Sequence, residues 1–88
     1  MHLKGEFVLR ELMYQILAVP VGEAARTLNG MVLLNGVSRV IWELLEKGTT
    51  EEAIVAAITT RFEVTQAEAE QDTREFLCKL RQTGLLED

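Results

Sequence analysis

The sequence holds one cysteine, one histidine and one proline in 88 residues, and each scarcity removes a class of protein. A lone cysteine, Cys78, forms no internal disulfide, so the fold must rest on an apolar core, as in a reducing cytoplasm. The lone histidine is His2, beside a terminus expected to fray. Without a second imidazole, Ser-His and Cys-His pairs and most zinc sites cannot be assembled. No glycine-rich phosphate loop, HExxH or CxxC spacing is present. Long apolar runs are missing too. The longest, residues 53–58 and 31–34, fall far short of the roughly 20 residues that span a bilayer. The opening Met1-His2-Leu3-Lys4-Gly5-Glu6 lacks the apolar core of a signal peptide.

Basic charge is also short. Nine Lys and Arg stand against fourteen Asp and Glu, for a net charge of −5. Nucleic-acid modules draw much of their affinity from phosphate neutralisation by a basic face, so this balance argues against them. A basic or mixed-charge partner is easier to accommodate.

What the sequence does have is core material: 48% of its residues are apolar. No linker, repeat or charge block divides it, and the length suits a single domain over residues 1–88. Phe7-Val8-Leu9-Arg10-Glu11-Leu12 and Tyr14-Gln15-Ile16-Leu17-Ala18-Val19 read as two strands, the second ended by Pro20. Asn29-Gly30 is a tight-turn dipeptide, and Met31-Val32-Leu33-Leu34 after it reads as a third strand. The stretch between, residues 22–28, fits a further strand or a helical turn and is read as an irregular connection.

From Asn35 the apolar period becomes that of a helix. Val37, Val40, Ile41, Leu44 and Leu45 make one stripe, with Asn35 as N-cap and Gly48 as the stop. Thr49-x-x-Glu52 reads as a capping box opening a second helix, with Ile54, Val55, Ile58 and Phe62 buried. A second box, Thr65-x-x-Glu68, opens a third helix whose stripe is Ala69, Thr73, Phe76, Leu77 and Leu80, ended by Gly84. Strands followed by three short helices give a small winged-helix-like α+β domain, a three-stranded antiparallel sheet followed by three helices.

No catalytic set emerges. Glu51, Glu52, Glu68, Glu70 and Asp72 are read as early-helix carboxylates expected in first turns, where they would complement the helix dipole on a solvated surface. Cys78 falls opposite the apolar stripe and should be exposed, as an incidental thiol or a partner contact. Trp42, at the edge of its stripe, is read as core, with a partner-facing role as the alternative. In a simple meander the strand 31–34 lies at a sheet edge unguarded by charge or proline. Such an edge is either covered or available to an added strand.

The residues Val32-Leu33-Leu34-Asn35, Ile41-Trp42-Glu43-Leu44-Leu45, Lys47-Gly48-Thr49 and Asp72-x-x-x-Phe76-Leu77-x-x-Leu80-x-x-x-Gly84-Leu85-Leu86 resemble the PqqD family. The likeness runs from about Phe7 onward. It implies a winged-helix-like fold and a non-enzymatic RiPP recognition element with no cofactor. Such an element binds the leader of a ribosomally made precursor peptide and presents it to a modifying enzyme, commonly a radical SAM maturase. In the family the leader pairs antiparallel with the third strand and lies against the third helix. The resemblance therefore implicates Gly30, Met31, Val32, Leu33 and Leu34 on the strand, and Asp72, Thr73, Phe76, Leu77 and Lys79 on the helix. Thr73 stands where the family more often has an aliphatic residue. Two rival expectations are a winged-helix DNA-binding regulator and a structural subunit, a homodimer, that covers its edge by self-pairing. The expected location is the cytoplasm.

Overall fold

A computed structural model describes residues 1–27 and 30–87. Strand β1 (His2–Leu3) is followed by the hairpin of β2 (Glu6–Leu12) and β3 (Gln15–Val21), and helix α1 (Glu23–Thr27) leads to β4 (Val32–Leu34). Helices α2 (Gly36–Lys47), α3 (Glu51–Arg61) and α4 (Gln66–Gln82) come next, and β5 (Leu86–Glu87) closes the chain. The main sheet is antiparallel in the order β2-β3-β4. It and the helices after it form the winged-helix-like α+β arrangement expected of the sequence.

Strand side chains alternate between faces, so register decides which residues meet the helices. Leu9 pairs with Ala18, which pairs in turn with Val32; Ile16 pairs with Leu34. This row packs with Ile41, Trp42 and Leu45 of α2, Ile54, Val55 and Ile58 of α3, and Ala69, Leu77 and Leu80 of α4. Complete burial of a Leu or Ile side chain contributes about 1.5–3 kcal/mol, so this shared cluster dominates the stability. Trp42 is fully buried, which settles it as core.

Caps set the helix ends. The Asn35 side chain accepts from the Ser38 N–H at 2.8 Å, and the Ser38 hydroxyl accepts from the Asn35 N–H at 2.8 Å. Thr65 and Glu68 make the same reciprocal pair at the start of α4, as expected. Hydrogen bonding to the carboxyl from Thr65, first from its backbone N–H and then from its side chain, holds the Glu68 carboxyl below its ordinary range. Gly84, at φ 75°, ends α4 in a Schellman turn. There the Leu85 N–H donates to the Leu80 carbonyl and the Gly84 N–H to the Arg81 carbonyl.

Several expectations need correction. Thr50, not Thr49, caps α3, with its hydroxyl accepting from the Ala53 N–H at 3.2 Å. Thr49 is engaged elsewhere: its N–H donates to the Met1 carbonyl, and its carbonyl accepts from the N-terminal ammonium, both at 2.9 Å. Ala53 then occupies the third helical position, so no reciprocal box can form, and Glu52 simply lies in the first turn. The N-terminus does not fray. His2 pairs with Glu87 across the β1–β5 ladder, and its Nε2 lies 2.7 Å from Glu87 Oε2.

Strand β3 does not stop at Pro20, which pairs with Phe7. Strand β4 reaches only Ile16, Leu17 and Ala18, so at Pro20 one side of β3 is an edge and a missing N–H is tolerated there. Part of the stretch read as irregular is α1, whose Ala24 is buried; an added Cβ at Gly5 would lie 3.0 Å from the Ala24 Cβ. The third strand begins at Val32, not Met31. Asn29, half of the expected turn, lies outside the described residues; Gly30 has φ 106°.

Candidate functional site

Strand β4 ends the sheet, and among the described residues only β3 pairs with it. Between this edge and α4 runs a groove with a volume of about 780 Å³. Val32 and Leu34 of β4, Val37 and Ile41 of α2, and Phe76 and Leu80 of α4 give it an apolar lining. Leu34, Ile41 and Leu80 are buried and form its floor, while Val32, Val37 and Phe76 are half-buried. Exposed Met31 and Leu33 border it on the strand side. Asp72, Glu75 and Lys79, also exposed, border it on the helix side. Tyr14 and Gln15, from the β2–β3 hairpin, stand at one end.

Helical spacing explains which α4 residues reach the groove. Asp72, Phe76 and Lys79 recur at i, i+4 and i+7 on one face, with Glu75 between them. Thr73 and Leu77 are one position on and turn into the core, where both are almost completely buried. Neither lines the groove, so of the helix residues implicated by resemblance only Asp72, Phe76 and Lys79 do. Of the strand residues, Met31, Val32, Leu33 and Leu34 line it and Gly30 does not.

Sequence reasoning missed Glu75, Leu80, Val37, Ile41, Tyr14 and Gln15 as groove residues. Glu75 was recoverable from its spacing to Asp72 and Lys79. The helical period reads Val37, Ile41 and Leu80 as core, a role they also serve. The apolar run over residues 14–19 reads Tyr14 as strand, whereas the structure puts it in the turn before β3.

The chemistry of the groove is that of a binding surface. Its apolar lining suits alternate side chains of an extended segment, and its free strand edge suits that segment's backbone. Asp72 and Glu75 favour a cationic neighbour, while Lys79 favours an anionic one. Among the described residues no cluster of His, Cys, Asp or Glu could hold a metal ion. In a smaller concavity between α3 and α4, Arg74 pairs with two of the three lining carboxylates, lying 3.8 Å from Glu51 and 3.7 Å from Glu70. Cys78 is exposed, as its place on the helix predicts. Among the described residues no helix is long and apolar enough to cross a membrane.

Comparison with known proteins decides the family. The model of the family described as Coenzyme PQQ synthesis protein D (PqqD) matches residues 15–86, most of the chain. The chain belongs to the PqqD family. Among solved structures, TbiB1 in complex with the TbiA(beta) leader peptide is 29% identical with a TM-score of 0.74, over 99% of this chain and 95% of that one. A lasso peptide synthetase B1 complexed with the leader peptide is 20% identical with a TM-score of 0.74, over 99% of this chain and 96% of that one. The second likeness bears on the fold alone. No curated protein matches the chain.

Proposed function

We propose that this PqqD-family chain is a non-catalytic recognition protein for the leader segment of a ribosomally made precursor peptide. The leader adds antiparallel to the free edge of β4, with alternate side chains entering the groove against α4. The observation that carries this reading is an apolar groove beside an unpaired strand edge. The leader-bound state of TbiB1, a relative with the same fold, supports it.

Residues 31–34 serve as the strand platform, preceded by Gly30. Asp72, Phe76 and Lys79 face the peptide, and Thr73 and Leu77 support that face from within the core. The bound leader is presented to a modifying enzyme, which in this reading is a radical SAM maturase, and its effective concentration at that active site rises. All bond-making chemistry stays on the partner. A DNA-binding role is disfavoured by α4, whose first ten residues carry Glu68 in the first turn and Glu70, Asp72 and Glu75 beyond it, where a recognition helix would approach phosphate.

Two or three buried leader side chains at about 1.5–3 kcal/mol each give a gross gain of several kcal/mol. Ordering a disordered leader takes back about 2–5 kcal/mol. Backbone bonds add about 0.5–1.5 kcal/mol each. Micromolar to sub-micromolar binding follows. Calorimetry with the leader of a precursor encoded beside this chain tests it: binding no tighter than millimolar contradicts the reading.

A further inference from the structure

The β2–β3 hairpin closes through Met13 and Tyr14, just past its last pair, Leu12 with Gln15. Both residues have positive φ, 49° and 70°. A two-residue hairpin turn with two positive φ angles is the geometry that Asn-Gly adopts readily and bulky residues adopt at a conformational cost. These are also the most exposed large apolar side chains among the described residues, at 85% and 108% of full exposure. Reversing the chain requires neither the bulk nor the strain.

Tyr14 lines the same groove as Leu34, Asn35 and Ser38. The register explains how. Strand β4 ends at Leu34 opposite Ile16, while β3 extends through Gln15 into the turn, so the turn overhangs the end of the β4 ladder. A strand added antiparallel to β4 has its N-terminal end at Leu34, and its upstream residues must pass this overhang.

We infer that Tyr14, with exposed Met13 beside it in the turn, forms a second subsite at the end of the groove, which grips an apolar side chain of the leader on the N-terminal flank of the segment paired with β4. The inference rests on the proposed leader binding. The Tyr14 ring offers a broad apolar face at little loss of rotamer freedom, and the Met13 thioether adapts to irregular shapes. An anionic membrane surface is a poor occupant, because the chain carries a net charge of −5. A modifying enzyme is the less economical choice, because Tyr14 borders the peptide groove itself.

The test uses peptides selected on the wild-type chain from a displayed random library. Tyr14 is the only tyrosine, so ring-labelled tyrosine reports on it with a single signal. The paired substitution Met13→Asn, Tyr14→Gly should raise the melting temperature and weaken peptide binding about tenfold. Trimming the peptide's N-terminal flank should cost the wild type the same factor and cost the variant nothing further. A Tyr14 signal that stays still on saturation, or unchanged affinity in the variant, overturns the inference. So does a variant that keeps full peptide affinity but no longer assembles with the modifying enzyme. If selected peptides move no backbone signal of β4 or α4, the leader-binding reading itself has failed and the subsite falls with it.

Discussion

The ring of Phe7 meets Trp42 edge-on, with centroids 5.0 Å apart and planes at 88°. One ring belongs to the hairpin and the other to α2, so this contact ties the sheet to the first long helix. Edge-to-face pairs contribute about 0.5–1.5 kcal/mol beyond area burial. Phe7→Leu should therefore lower stability by about 1 kcal/mol in urea unfolding, with an unchanged slope. No loss would mean that the contact is incidental.

Thr73 carries a buried hydroxyl without a hydrogen-bond partner, on the core side of α4. Unsatisfied buried polar groups cost about 1–3 kcal/mol. Thr73→Val keeps the shape and removes the hydroxyl. It should raise stability by about 1 kcal/mol and leave leader affinity unchanged, as thermal unfolding and calorimetry would record. Weakened binding would place Thr73 in contact with the peptide.

Phe76 behaves in the opposite way. It is half-buried and lines the groove, so Phe76→Ala removes part of the surface that the leader would cover. Leader affinity should fall at least tenfold, about 1.4 kcal/mol. The fold should persist, because Leu77 and Leu80 hold α4 to the core. Wild-type affinity in a folded Phe76→Ala chain would argue that the peptide lies elsewhere.

The α4 cap predicts a pH dependence. Hydrogen bonds from Thr65 lower the Glu68 pKa, so this group stabilises the fold at pH values above its unfolded pKa. The contribution disappears as pH falls through the lower folded value. Glu68→Gln keeps the bonding geometry without the charge. Its melting temperature should lie below the wild type at neutral pH, and the two should converge under acid conditions. A gap that persists in acid would mean that the carboxylate charge is not the cause.

Local signals made much of this fold legible. Asn35, Thr65 and Gly84 mark helix ends through bonds to residues three to five positions away, which a sequence window captures. The apolar stripes of the three long helices are equally local. The errors lie where distant residues intervene. The Thr49 backbone is held by Met1, which no window around residue 49 contains, and Thr50 caps α3 instead. His2 is ordered by Glu87, at the far end of the chain. Pro20 stays inside β3 because β4 is too short to reach it.

The groove was legible in half. The edge strand follows from strand order, whereas Asp72, Phe76 and Lys79 are implicated by the family resemblance. Tyr14 was not legible, because Met-Tyr carries no turn signal of its own. Thr73 and Leu77 differ from the groove face by a single helical step, and only the packing separates support from contact.

The most direct measurement is a titration of isotope-labelled protein with a leader peptide, followed at backbone amides. The account predicts saturable shifts concentrated at residues 31–34 and along 72–79, with α3 nearly silent. Shifts absent from β4 and α4, or spread over α3 instead, would contradict it.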